Sequence, residues 1–245
     1  MIMTTMTRDE VIRHIKNDMA EGLMTFIHHK KNDWIKYRKH LLPRQYGFQC
    51  YKWANKHTNQ QYVFTFTKSK GMEKVPDSLT VYAEVSGARK QYYCLNINTG
   101  DICICSSHFF NRYAERTGIP AVYPAIIGKF HANNVTHQII YADPVDTPDR
   151  RRFVYAVNDG IILGEIENRR KVYIFRTFVS LDMLKDTQRQ AYNVVSELLS
   201  ATAKCYEYAA NRNILPEVLN DLCLVTANVS IDASKIYAQF WEDED

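Results

Sequence analysis

The sequence has no Cys-x-x-Cys pair, no glycine-rich loop of the GxGxxG or GxxxxGKS kind and no HExxH helix. The first absence argues against a zinc ribbon or thioredoxin-like site. The other two leave the common nucleotide-cofactor sites and the metallohydrolase helix unsupported, so no cofactor is expected. Nowhere do about eighteen uncharged apolar residues run together, and MIMTTMTRDEVIRHIK lacks the apolar segment of a secretory leader. Of the six cysteines, four stand in apolar strand or helix contexts, where a free thiol behaves as a small hydrophobe. A cytoplasmic protein without a membrane partner is the expectation. Glycine and proline are scarce, at 9 and 7.

What is present fits an ordinary globular chain: 245 residues, 46% hydrophobic and 24% charged. Sixteen tyrosines and eleven phenylalanines suit β-structure and equally suit base-stacking surfaces. The net charge of +4 is unevenly spread. Residues 1–60 carry 11 Lys/Arg against 5 Asp/Glu (+6), residues 61–180 carry 15 against 11 (+4), and residues 181–245 carry 5 against 11 (−6). A basic N-terminal part points to a polyanion or to the acidic C-terminal part as its contact, or to unevenly charged solvated faces.

Thr7-Arg8-Asp9-Glu10 opens as a capping box. Val11, Ile15, Met19, Leu23, Phe26 and Ile27 then recur at helical spacing, which predicts one long helix with a break near Asn32-Asp33 and an end before Pro43. Lys30, Lys31, Lys36, Arg38 and Lys39 load its other positions and are the candidate nucleic-acid contacts. Trp34, Tyr37, Tyr46, Tyr51 and Trp53 either stack bases or pack the helix onto a sheet.

From Tyr62 the period changes to two. Strands are predicted at residues 62–68, 78–85 and 89–97, with a hairpin at Ser86-Gly87-Ala88, and at 101–105. A charged helix follows to Gly118, capped by Ser106 or Ser107, and Ala121 to Phe130 form a second short helix. Asp143, Asp146 and Asp149 crowd a loop without the glycine and terminal glutamate of a calcium-binding loop, and no metal is assigned to them or to the lone histidines His28, His29, His131 and His137. Phe153–Val157, Gly160–Ile166 and Lys171–Val179 read as a β-meander, with a strong turn at Asn158-Asp159-Gly160. Ser180 is expected to cap a long helix from Leu181 to about Ala210, with shorter helices after Pro216 and an acidic tail from Trp241 to Asp245. The fold class is therefore α+β: an antiparallel sheet of six or seven strands, covered mainly on one face. A core at 1–180 and a helical region at 181–245 form one compact unit.

Asp101 to Pro120 is the stretch where chemistry concentrates. At 100° per residue, His108, Arg112 and Arg116 share one helix face with Glu115 beside them, while Phe109, Phe110, Tyr113 and Ala114 point to the other. The series Ser107-His108, Arg112, Glu115-Arg116, Gly118-Ile119, a short helix, a β-meander and the Arg176-Thr177 pair resembles a family of small domains of unknown function grouped with RelE-like and barnase-like ribonuclease toxins. The resemblance covers roughly residues 101–180 and implies contact with RNA.

Metal-independent RNA cleavage needs a group of near-neutral pKa to take the 2′-OH proton, and guanidinium donors for the developing phosphate charge. His108 suits the base or acid, Arg112, Arg116 and Arg176 the phosphate clamps, Thr177 an orienting hydroxyl, and Glu115 the orientation of an arginine. Equally, Glu115 can simply pair with an arginine on a solvated helix face. The ribonuclease expectation requires the His108 face and Arg176 to converge. The alternative is a non-catalytic interaction protein, of mobile-element or phage origin, that binds a protein partner or itself.

Overall fold

The computed structural model describes residues 2–3, 5–41, 47–68, 78–85, 90–96, 102–134, 137–142, 150–167, 172–193 and 195–197. The hairpin turn expected at Ser86-Gly87-Ala88, the aspartate loop and the whole region after 197 lie outside these residues.

The capping box forms as expected. Thr7 accepts from the Glu10 amide, the Glu10 carboxylate accepts from the Thr7 amide, and α1 runs over Arg8–Asp18. The helix does not continue unbroken to Pro43. A π-helical turn, Met19–Leu23, separates α1 from α2 (Met24–Arg38), and Gly22 within it has φ 149°, a backbone region closed to most L side chains. The break is therefore at Gly22 and not at Asn32-Asp33, because backbone permissiveness, not side-chain polarity, sets where the helix bends.

Nine strands form one sheet: β1 (Gly47–Ala54), β2 (Gln61–Lys68), β3 (Ser78–Val85), β4 (Gln91–Asn96), β5 (Ile102–Ser106), β6 (His137–Ala142), β7 (Arg150–Val157), β8 (Gly160–Glu167) and β9 (Val172–Ser180). The strands beyond the six or seven expected are β1, whose aromatics alternate with polar residues, and β6, which precedes the aspartate loop. Their order is β1-β2-β3-β4-β5-β9-β8-β7-β6, antiparallel throughout except for the central β5–β9 pair, which is parallel. Two meanders thus meet in the middle. The chain leaves β5 through α3 (Ser107–Thr117) and α4 (Ala125–Asn133), and resumes at the far edge with β6.

Helices cover both faces, which corrects the expectation of a mainly one-sided cover. Tyr62, Phe64, Phe66, Val81, Tyr93, Ile104 and Ile174 pack under α1 and α2 through Val11, Ile15, Leu23, Ile27 and Trp34. The same face continues over β7 and β8, where Val154, Ala156, Ile161 and Leu163 meet Leu184, Tyr192 and Val195. On the opposite face, α3 and α4 bury Phe109, Phe110, Tyr113, Ile126 and Phe130 against Tyr92, Phe153, Tyr155, Phe175 and Phe178. The stacking of a two-sided sheet between helical layers explains why β7 and β8 read as nearly continuous apolar runs.

At the end of β9, Leu181–Met183 is a single 3-10 turn, and helix resumes at 186–193 and 195–197. The long helix from Leu181 therefore starts about five residues late. Leu184, which follows the turn in extended backbone, is buried on Val154 and its neighbours, and that anchoring interrupts the helix.

Candidate nucleic-acid interface

The charged helix α3 is held as its sequence dictates. The Ser106 hydroxyl accepts from the Phe109 amide, Gly118 ends the helix in the left-handed conformation at φ 66°, and Phe109, Phe110, Tyr113 and Ala114 are buried. His108 and Glu115 are exposed, and Arg112 and Arg116 half-buried. Arg112 Nη1 lies 3.3 Å from Glu115 Oε2, a pair between neighbouring turns of one helix.

Arg176 does not join them. Ile174, two residues earlier on β9, packs in the core beneath α1 and α2 and stands directly opposite Glu165 of β8, so Glu165 points to that same face. Arg176 occupies the extra position of a β-bulge between the Leu163–Thr177 and Gly164–Phe175 pairs. Its guanidinium grips Glu165 with Nε at 3.2 Å from Oε1 and Nη2 at 3.0 and 3.1 Å from Oε1 and Oε2. Thr177, opposite Leu163, is buried on this face as well. Meanwhile α3 packs on Phe175 and Phe178, which face the other way. The expected cluster is thus split by the sheet, with His108, Arg112, Glu115 and Arg116 on one side and Arg176 and Thr177 on the other. The bulge re-aims one side chain, and no sequence signal of strand alternation announces it.

The N-terminal basic residues stand on α2. Its inward side is aromatic: Trp34 stacks on Phe66 at 5.8 Å and 12°, and Tyr51 on Phe64 at 5.3 Å and 19°, with Tyr37 and Trp53 packed against the same core. Trp34 is buried, and Tyr37, Tyr51 and Trp53 are partly buried against this core; Tyr46 lies outside the described residues. The outward side carries Lys31, Lys36 and Lys39, all exposed, among the exposed His28, His29, Asn32 and His40. Lys30 leans over the rings of Phe26 and Tyr51, at 6.0 and 5.6 Å, and pairs with Asp33, the single carboxylate in α2, at 3.1 Å. Arg38 is half-buried in the last turn, where positive charge also complements the helix dipole.

A third polar cluster escaped the sequence reading. Asp18, 1% exposed, accepts from Tyr62 Oη at 2.6 Å, Thr58 Oγ1 at 2.9 Å and Asn55 Nδ2 at 2.9 Å, with His14 Nε2 3.7 Å away. Asn55 in turn accepts from the amides of His57 and Thr58, which closes the β1–β2 turn. Burial, and then the bond to Asp18, pushes the Tyr62 phenol well above its ordinary pKa. Through these three accepted bonds the carboxylate clamps the hairpin to the end of α1. The signal available beforehand was His14 and Asp18 at i, i+4 beside the Asn55-x-x-Thr58 turn.

Cys50, Cys94, Cys103 and Cys105 are free thiols, and burial raises the Cys94 pKa to about 12. Among the described residues, no three His, Cys, Asp or Glu side chains stand together as a metal site would require, and no helix is long and apolar enough to cross a membrane. The chain matches no family model, no curated protein and no solved structure.

Proposed function

We propose that this protein binds RNA, without cleaving it, through the phosphate backbone along the outer face of α2. The observation that carries this reading is the charge of that face: Lys31, Lys36 and Lys39 are exposed, while the one carboxylate in the helix is already held by Lys30. The inward packing of Trp34, Tyr51 and Trp53 leaves phosphate contact, not base stacking, as the mode of recognition. Affinity from such contacts is indifferent to sequence and falls steeply with salt, because each neutralised phosphate releases counterions. Cleavage is left out because Arg176 and Thr177 lie across the sheet from His108.

The test is titration of a labelled RNA strand with the purified full chain over a salt series, alongside incubation of a mixed RNA pool in EDTA. Three lysine contacts on a single strand give a slope of log affinity against log salt of roughly −2. A salt-independent signal, or no binding at low salt, sinks the proposal. Cleavage that His108→Ala abolishes in a folded protein would instead establish the ribonuclease resembled by residues 101–180.

A further inference from the structure

The sheet ends in two unlike edges. β6, at one end of the strand order, is broken by a bulge between Ile139 and Tyr141, whereas β1, at the other, pairs with β2 over its whole length without a break. The Asn55 amide donates to the Gln60 carbonyl, one step beyond the Ala54–Gln61 pair of that ladder. Antiparallel ladders bond at every second pair, so Asn55, Trp53, Tyr51, Gln49 and Gly47 turn their backbone groups toward β2. Phe48, Cys50, Lys52 and Ala54 therefore point their amides and carbonyls out of the sheet. Among the described residues, no hydrogen bond reaches those outward groups.

An open, regular edge is a template for another strand, and a bulge such as that in β6 is one way proteins prevent such pairing. β1 has no bulge and no proline, and its flanks are largely apolar. Tyr51 and Trp53 are half-buried on the α1 and α2 side. On the other side, α4 crosses so closely that a Cβ on Gly128 would meet the Phe48 ring, and the Pro124 carbonyl lies 3.9 Å from Cys50 Sγ. Val122, two residues before Pro124, is 61% exposed. Lys52 is the single charge on the strand.

The strand is complementary to itself. Its outward residues are centred on Tyr51, so a two-fold axis there sets Phe48 opposite Ala54, and Cys50 opposite Lys52, of a second copy. Every outward residue then exchanges both backbone bonds with its opposite, and no like charges stand face to face. An axis at Lys52 would oppose the two lysines, and one at Cys50 would leave Ala54 without a partner in β1. We infer that two copies of this chain associate by antiparallel pairing of β1 with β1 about Tyr51, which continues the sheet from one copy into the other. That axis stands normal to the sheet, so α2 of both copies lies on one face. The inference uses backbone pairing alone and does not depend on RNA binding.

Sedimentation velocity of the full chain over a dilution series measures the association, with Lys52→Pro and Lys52→Gln beside the wild type. Lys52 is exposed and its amide points away from β2, so proline there removes an outward donor and leaves the β1–β2 ladder intact. Wild type and Lys52→Gln should sediment as dimers, and Lys52→Pro as a folded monomer of half that mass. A wild type that stays monomeric at every concentration, or a folded Lys52→Pro that stays dimeric, overturns the inference. If Lys52→Pro proves unfolded by circular dichroism, hydrogen exchange of the wild type decides. The Phe48, Cys50, Lys52 and Ala54 amides should then gain protection as concentration rises. Their fast exchange at every concentration overturns the inference, and so does protection independent of concentration, which would mean that the edge is covered within one copy.

Discussion

Arg176 and Glu165 clasp each other across β9 and β8 through three hydrogen bonds of 3.0 to 3.2 Å, on the face of the sheet that α3 does not touch. The relationship separates Arg176 from His108 by the thickness of the sheet. Wild-type protein should therefore leave a mixed RNA pool intact in EDTA on a denaturing gel. Cleavage lost equally in His108→Ala and Arg176→Gln would mean that the two act on one phosphate, and this placement would be wrong.

The clamp at Asp18 makes the strongest stability claim. Removing its carboxylate in Asp18→Ala leaves the donors of Asn55, Thr58 and Tyr62 without their acceptor in a buried site, at about 1–3 kcal/mol for each unsatisfied group. A loss of at least about 3 kcal/mol, or roughly 6–12 °C in Tm for a chain of this size, should appear in thermal unfolding followed by circular dichroism. Tyr62→Phe should cost less, about 1.5–3 kcal/mol, because it deletes one bond to a charged acceptor. A Tm unchanged in Asp18→Ala would show that the hairpin is anchored elsewhere.

Alkaline conditions should unfold the protein. Burial holds the Tyr62 and Tyr113 phenols, next to Asp18 and Asp159, well above their ordinary pKa, and raises Tyr123 and Cys94 each to about 12. In the unfolded chain a thiol ionises near pH 8.5 and a phenol near pH 10, so the native state keeps protons that the unfolded state has lost. Stability is full below about pH 8.5 and falls above it, by up to about 1.4 kcal/mol per pH unit for each retained proton. Urea unfolding at stepped pH checks this. Tyr62→Phe should flatten the fall above pH ~10 by one proton, and a stability rising between pH 9 and 11 would contradict the assignment.

Gly22 should resist replacement. At φ 149° the backbone at the turn between α1 and α2 is strained for any residue with a Cβ, so Gly22→Ala should destabilise by about 1–3 kcal/mol. Chemical denaturation measures it. Unchanged stability would show that the α1–α2 junction relaxes to an ordinary helix.

Local signals were legible in the sequence where they act locally. Thr7 with Glu10, Ser106 with Gly118, the apolar face of α3 and the Asn158-Asp159 turn all formed where residue spacing put them. Strands with clean alternation, such as β2 and β4, were equally plain. β1 was missed because its Tyr51 and Trp53, set among polar residues and Lys52, looked like a stacking surface until α2 and the sheet closed over them. The parallel β5–β9 pair joins residues about seventy positions apart, and nothing short-range encodes it. Nor did the α3 motif reveal its distance from Arg176. Strand alternation from Ile174 already sets Arg176 on the face away from α3, and the bulge turns Thr177 to that face as well.

The most direct test of RNA binding through α2 is a fluorescence-anisotropy titration of one RNA strand with wild type and Lys31→Gln/Lys36→Gln/Lys39→Gln over a salt series. The three lysines are exposed, so the variant should keep its fold and Tm. Its binding should weaken at every RNA sequence tried, and the slope against salt should flatten by about 2. An affinity and slope identical to those of the wild type would place the binding surface elsewhere and contradict the account.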